Sequence, residues 1–166
     1  MTVHRIRSGF TLVEILIAVV ILGILAAIVI PQFTNASESA KASSLVSQLQ
    51  TIRSQLELYQ VQHNGMYPVL DDVDGDGELW DRLTMKTDVD GNLDATGDYG
   101  PYLQQPPVNP FEDSATFGAG AGDGVGWVYV NDGVDGSIYA VMEETLAARV
   151  DLDTQPNDVI TYAAGG

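Results

Sequence analysis

The stretch GFTLVEILIAVVILGILAAIVIP, from Gly9 to Pro31, is apolar except for one carboxylate, that of Glu14. An α-helix rises about 1.5 Å per residue, so a run of this length can cross the roughly 30 Å hydrocarbon core of a bilayer. A charged side chain inside that core costs about 2.5–3.5 kcal/mol on insertion scales. Glu14 is therefore predicted to be a functional residue with a partner. The alternative is a tolerated charge that snorkels to the membrane interface.

Three basic or weakly basic residues, His4, Arg5 and Arg7, precede the apolar run, and nearly all of the acidic residues follow it. A cleaved secretory signal peptide fits poorly, because its apolar region spans about 7–15 residues and ends at a small-residue cleavage site. Here the run continues to Ile30 and ends at Pro31. Basic residues before an apolar helix favour a cytoplasmic N-terminus. The pattern predicts a single-pass anchor with an exported C-terminal domain.

The segment RIRSGFTLVEILIAVVILGILAAIVIPQF, residues 5–33, resembles the N-terminus of type IV pilins and of type II secretion pseudopilins. In that family a prepilin peptidase cuts after the glycine before the apolar run, which corresponds to Gly9. The new N-terminal residue, here Phe10, is usually N-methylated. The residues that the resemblance assigns to assembly are Phe10, Glu14, Gly23 and Pro31, the last two being the glycine and proline that weaken the helix.

The resemblance also supplies a partner for Glu14. Cleavage creates an α-amino group on Phe10, and such a group has an ordinary pKa near about 7.7–8.0. When copies stack, the Glu14 carboxylate of one can pair with the Phe10 ammonium of its neighbour. Either charge alone is costly in a medium of low dielectric constant. The pair would then select the axial register, as one buried polar residue does in a coiled coil.

The helical pattern resumes after Pro31 and continues to about residue 64. One apolar stripe, with spacings of four, three, four and three residues, is formed by Leu45, Leu49, Ile52, Leu56 and Tyr59. Asn64 and Gly65 then provide a helix stop. The stripe predicts that this half of the helix forms one wall of a domain core.

Strand signals occur late in the chain. Residues 126–130 and 137–142 are rich in β-branched and aromatic side chains, and the turn formers between them predict a hairpin. Residues 158–163 are a candidate third strand. Together with the resemblance, these runs predict an α+β, pilin-like fold. In it, a long kinked N-terminal helix, membrane-spanning in its first half, packs on a small antiparallel sheet.

The expected organisation has three parts. A leader peptide comprises residues 1–9, and a transmembrane helix that also forms the filament core comprises residues 10–31. An exported globular domain comprises residues 32–166 and includes the second half of the helix. The formal net charge of −16 repels nucleic acid, so DNA and RNA binding are not expected.

The run DVDGDG, residues 72–77, fits the first half of a calcium loop of the EF-hand type, with oxygen ligands at alternate positions and a glycine for the turn. The second half does not fit, because Leu83 stands where a bidentate acid is expected. The resemblance supports calcium, since major pseudopilins bind it in loops near the C-terminal sheet. The alternative is a solvated acidic loop without an ion. The candidate ligands are Asp72, Asp74, Asp76 and Glu78, and, in the hairpin turn, Asp132 and Asp135.

The resemblance implies a structural subunit of a type II secretion pseudopilus rather than an enzyme. Such a subunit polymerises through its N-terminal helix and helps to move folded proteins through the outer membrane. The chain has no cysteine, which favours this function over that of a type IV pilin, because type IV pilins commonly close a C-terminal loop with a disulfide. A type IV pilus pilin and a membrane-anchored module that binds calcium or a glycan remain the alternatives.

The implied partners are further copies of the chain, a prepilin peptidase, minor pseudopilins and the inner-membrane assembly platform. The implied location is the inner membrane, with a cytoplasmic N-terminus and a periplasmic C-terminal domain, and a filament after assembly.

Overall fold

A computed structural model describes residues 9–69, 78–118, 120–131, 136–150 and 159–163. The chain divides into two compact units, Met1–Glu38 and Ser39–Gly166. The elements in chain order are helix α1 (Leu12–Gln62), helix α2 (Glu78–Thr84), strand β1 (Phe117–Gly118), strand β2 (Trp127–Asn131), strand β3 (Gly136–Glu143), helix α3 (Glu144–Arg149) and strand β4 (Val159–Tyr162). The predicted α+β class is confirmed.

Helix α1 contains Pro31 and does not end there, as predicted. Its C-terminus is formed by two residues with left-handed backbone conformation, Asn64 with φ 57° and Gly65 with φ 84°. The Gly65 N–H donates to the Gln60 carbonyl over 2.8 Å, which satisfies one of the carbonyls that a helix end leaves unpaired. The Asn-Gly stop signal therefore acts as the sequence predicts.

The predicted apolar stripe is the centre of the core in the unit Ser39–Gly166. Each of its five side chains is at most 2% exposed, and they pack with residues of helix α2 and of strands β2 and β3. Complete burial of a leucine or isoleucine side chain contributes about 1.5–3 kcal/mol. The second half of α1 is thus fixed by its own hydrophobic period against the sheet.

Two tryptophans join the elements of this core. Trp80 of α2 and Trp127 of β2 meet edge to face, with ring centroids 6.3 Å apart and an interplanar angle of 81°. Both indole N–H groups donate to main-chain carbonyls, that of Trp80 to Ala115 over 2.6 Å and that of Trp127 to Pro107 over 2.9 Å. Because their polar ends are satisfied, both indoles can be buried at low cost.

The sheet has four strands in the order β1-β2-β3-β4 and is mixed. The predicted hairpin is confirmed, since β2 and β3 pair antiparallel with Trp127 opposite Ala140. The prediction of a wholly antiparallel sheet is wrong, because β1 pairs parallel with β2 and β4 pairs parallel with β3. Helix α3 follows β3 directly and contacts both β3 and β4. Strand β4 begins opposite Ala140, in the middle of β3, and runs in the same direction as β3.

One buried amide links the loop before the sheet to two strands. The side chain of Asn109 is fully buried, and its Nδ2 donates to the carbonyls of Gly126 and Val141 over 2.8 and 2.7 Å. Its Oδ1 accepts the Phe111 N–H over 2.9 Å. Both polar atoms of the buried amide thus have hydrogen-bond partners, and Asn109 fixes the loop against β2 and β3.

Candidate processing and assembly site

The start of helix α1 is a capping box formed by Thr11 and Glu14. The Thr11 hydroxyl accepts the Glu14 N–H over 3.2 Å, and Glu14 Oε2 accepts both the Thr11 N–H and the Thr11 hydroxyl over 2.8 Å. Two N–H groups that a helix start leaves unpaired are thereby satisfied. Sequence reasoning missed this role, although the signal is present as Thr-Leu-Val-Glu, threonine followed three residues later by glutamate.

The capping box determines the position of Glu14, the only carboxylate of the apolar run. Oε2 of Glu14 is occupied by Thr11, whereas Oε1 has no hydrogen-bond partner among the described residues. The side chain is exposed. Glu14 is therefore held at the first turn of the helix with one carboxylate oxygen open to a donor from another molecule.

The predicted cleavage point lies immediately before this cap. Gly9 and Phe10 precede the first residue of α1, have no regular secondary structure and are exposed, with Phe10 at 82%. The residues before Gly9 lie outside the described part of the chain. The Gly9–Phe10 peptide bond is accordingly accessible from solution in a single copy of the chain.

The two predicted helix-weakening residues lie inside α1. A Cβ atom added at Gly23 would meet no atom within 4 Å, so no packing within the chain requires glycine there. Glycine nevertheless lowers helix propensity by about 1 kcal/mol relative to alanine. Pro31 has no N–H to donate to the carbonyl four residues earlier, which removes one helix hydrogen bond. Both positions weaken α1 without ending it.

The first part of α1 exposes its apolar surface on all sides. Every residue from 10 to 37 is exposed, and the large apolar side chains between Phe10 and Ile30 are 41–82% exposed. In length and composition α1 is sufficient to cross a membrane, and none of its most apolar window is buried in the chain. A helix that is apolar all round requires lipid or other protein around it.

The predicted calcium ligands cannot be placed. Asp72, Asp74 and Asp76 lie outside the described residues, as do the two acids of the hairpin turn, Asp132 and Asp135. Glu78 begins helix α2, but its side chain also lies outside what the structure describes. Within the described ranges, no three histidine, aspartate or glutamate side chains gather as a metal site would require.

Another acidic run, residues 88–94, is organised by its own backbone. Asp88 accepts the N–H groups of Asp90 and Asn92, both over 2.9 Å, and Asp94 accepts the Thr96 N–H over 2.8 Å. The side-chain and backbone hydrogen bonds from Asn92 hold the pKa of Asp88 below its usual range, and those from Thr96 do the same for the pKa of Asp94. These carboxylates stabilise turns, which is a structural role.

The one histidine beyond the leader, His63, lies in the core. It is 1% exposed, and its ring stacks on that of Tyr59 with centroids 3.7 Å apart. Its Nδ1 donates to the Tyr59 carbonyl over 2.8 Å, and its Nε2 pairs with the Thr87 hydroxyl over 2.9 Å. Both ring nitrogens are thus engaged inside the domain, where His63 ties the end of α1 to the segment that follows α2.

The N-terminal segment matches a known protein family. Residues 4–30 match the prokaryotic N-terminal methylation motif. This match covers the cleavage point, the capping box and most of the exposed apolar run. No solved structure matches the chain significantly.

The chain is also similar to curated proteins named type II secretion system core protein G. It is 44% identical to the Pseudomonas aeruginosa protein over 65 residues, which are 39% of this chain and 45% of that protein. It is 40% identical to the Dickeya chrysanthemi protein over 65 residues, 39% of this chain and 42% of that protein. The chain therefore spans less than half the length of these two relatives.

A longer match extends into the unit Ser39–Gly166. The chain is 37% identical to core protein G of Aeromonas hydrophila over 107 residues, which are 64% of this chain and 69% of that protein. The methylation motif, the long apolar helix and this match agree, and the chain belongs to the pilin-like family of type II secretion system core protein G, the major pseudopilins.

Proposed function

We propose that this protein is the repeating structural subunit of a type II secretion pseudopilus. Copies polymerise through the first half of α1 and help to move folded proteins through the outer membrane. The observation that carries the proposal is the fully exposed apolar half of α1 with one capped carboxylate at its start. In a filament this surface is covered by the same surface of other copies, and before assembly it is covered by lipid.

Assembly begins with processing by a prepilin peptidase, which cuts between Gly9 and Phe10, and Phe10 is then N-methylated. The exposure of both residues supports this step. The open oxygen of Glu14 then receives the Phe10 ammonium of a neighbouring copy, while Thr11 keeps the other oxygen. A charge-assisted hydrogen bond of this kind is about twice as strong as a neutral one. The pair compensates two charges that are each costly in an apolar core.

The basic residues of the leader support a cytoplasmic N-terminus and a periplasmic location for the unit Ser39–Gly166. Minor pseudopilins and the inner-membrane assembly platform are the proposed partners besides the peptidase. A type IV pilus pilin and a membrane-anchored binding module are the competing functions. The names of the relatives favour secretion over a pilus, and polymerisation distinguishes a subunit from a binding module.

The test replaces the carboxylate. In Glu14→Leu the apolar helix loses its only charge, so we expect cleavage and retention in the inner membrane but few filaments. Glu14→Gln keeps the shape without the charge and should show a similar defect. The measurement is pelletable filament relative to membrane-bound mature subunit at equal expression.

Glu57→Gln is the matched control, because Glu57 is an exposed acid of the same helix whose side chain has no hydrogen bond in the described part of the chain. Normal filaments from Glu14→Leu would show that the carboxylate only snorkels. A wild-type chain that never polymerises would support the binding module instead.

We also propose that the exported unit binds calcium. The support is the DVDGDG run, whose alternating carboxylates suit a hard cation that takes six to eight oxygen ligands. Extracellular calcium sites of this type have dissociation constants of about 10⁻⁴–10⁻³ M, which periplasmic calcium can fill. Binding would neutralise part of the strong negative charge of this segment.

A further inference from the structure

The unit Ser39–Gly166 carries almost all of the negative charge of the protein. Of the 23 acidic residues only Glu14 and Glu38 precede Ser39, which leaves 21. Five of the seven lysines and arginines follow Ser39, so the formal charge of this unit is −16. The proposed filament would place many copies of this polyanion side by side.

Most of the acidic side chains that the structure describes in this unit are exposed. None of them is buried in this unit, and the exposed ones are Glu57, Asp90, Asp94, Asp98, Asp113, Asp123 and Glu144. Their charges consequently act on neighbouring molecules through water, where the interaction is long-ranged at low ionic strength.

The described lysine and arginine side chains of the same unit contact other groups of that unit. Three side chains donate to its main-chain carbonyls at distances between 2.7 and 3.2 Å, and a fourth lies 5.8 Å from the centre of an aromatic ring. They are Arg53, Arg82 and Lys86 on carbonyls, and Lys41 over Phe111. The side chain of the fifth cation, Arg149, lies outside the described residues. These cations contribute to the fold, and five of them cannot balance the 21 acidic residues of the unit.

We infer that copies of this chain pack into a filament only where dissolved cations screen their exported units, so that ionic strength controls assembly. The inference rests on the proposed function. The apolar helices supply the attraction between copies, and the exported units oppose it. The distance over which charges act falls from about 30 Å at 0.01 M salt to about 8 Å at 0.15 M salt. Screening then removes most of the repulsion.

The experiment uses the full mature chain, purified in detergent and assembled by removal of the detergent. Dialysis buffers contain 10 to 300 mM NaCl, with a calcium chelator in one series and added calcium in a second. The readouts are the sedimented fraction and filaments in negative-stain electron microscopy. We expect the sedimented filament fraction to rise about fivefold or more between 10 and 150 mM NaCl.

Two variants separate charge from shape. The triple variant Glu57→Gln, Asp90→Asn, Asp98→Asn removes three exposed charges whose side chains make no hydrogen bond among the described residues. It should reach half-maximal assembly at a clearly lower NaCl concentration than the wild-type chain. The control Glu57→Asp, Asp90→Glu, Asp98→Glu keeps all three charges and should behave as the wild-type chain does.

A filament yield that is the same at 10 and 300 mM NaCl would overturn the inference while leaving the proposed subunit function intact. Assembly that requires calcium at every NaCl concentration would also overturn it, because a specific ion site rather than screening would then be the cause. A wild-type chain that forms no filaments under any of these conditions would refute the proposed function, and the inference with it.

Discussion

Replacement of Asn109 by alanine should be among the most damaging single changes in the unit Ser39–Gly166. The variant loses the three hydrogen bonds of a fully buried amide and leaves the Val141 carbonyl and the Phe111 N–H without these donors and acceptors, whereas the Gly126 carbonyl still accepts the Val141 N–H. A buried polar group without a partner costs about 1–3 kcal/mol, so the two groups that lose their partner together cost about 2–6 kcal/mol before partial relaxation. We expect a loss of about 3–5 kcal/mol.

The assay is thermal unfolding of the full mature chain in detergent, followed by tryptophan fluorescence, because Trp80 and Trp127 both lie in the core. For a unit of this size, 1 kcal/mol corresponds to about 3–5 °C, so Tm should fall by about 10–20 °C in Asn109→Ala. Gln105→Ala, which removes an exposed amide without hydrogen bonds in the described part of the chain, should leave Tm unchanged.

The variant Asn109→Asp tests the same reasoning through pH. At neutral pH its carboxylate would face two carbonyl oxygens, which raises the folded-state pKa above the ordinary value of about 3.9. An acid with a raised folded-state pKa loses stability as pH rises, so the deficit against the wild-type chain should grow between pH 4 and pH 7. A fall in Tm of less than about 3 °C in Asn109→Ala would refute the role assigned to this amide.

Thr11→Val should reduce filament yield, because loss of the N-cap hydroxyl costs about 0.5–2 kcal/mol and removes one of the two hydrogen bonds that hold the Glu14 carboxylate. Thr11→Ser should assemble normally, and the measurement is pelletable filament. Calcium at a hundredfold excess over Kd should add about 2.7 kcal/mol to the stability of the native chain, and Asp74→Ala with Asp76→Ala should reduce that gain in Tm. An equal Tm in calcium and in chelator would contradict calcium binding. Burial raises the pKa of Glu112 above its ordinary value of 4.5, so ionisation of this side chain opposes folding as pH rises. The Tm of Glu112→Gln minus that of the wild-type chain should therefore be higher at pH 7 than at pH 4. The reverse trend would show that the charge of Glu112 is stabilising.

The N-terminal half of the molecule was predictable because its signals are local. The single carboxylate and the length of the apolar run can be counted along the chain, the cleavage point stays a prediction from the same local signals, and neither Gly23 nor Pro31 depends on a distant contact. The capping box is equally local, since Glu14 follows Thr11 by three residues and threonine with glutamate at that spacing is its sequence signal.

The second half of α1 was also specified by the sequence, because a helical period of apolar residues selects one face for burial regardless of what covers it. The hairpin β2–β3 follows from two β-rich runs separated by turn formers. In both cases the information lies within a few residues, which is the range over which backbone preference and hydrophobic period act.

Only the tertiary structure decided the direction of the outer strands and the roles of the buried polar residues. Helix α3 turns the chain so that β4 runs parallel to β3, and nothing within residues 158–163 encodes that direction. Asn109 meets carbonyls 17 and 32 positions away, and His63 meets a hydroxyl 24 positions away. A buried polar side chain is stable only where distant groups supply its hydrogen bonds, so its role is determined by the fold and not by the residues beside it.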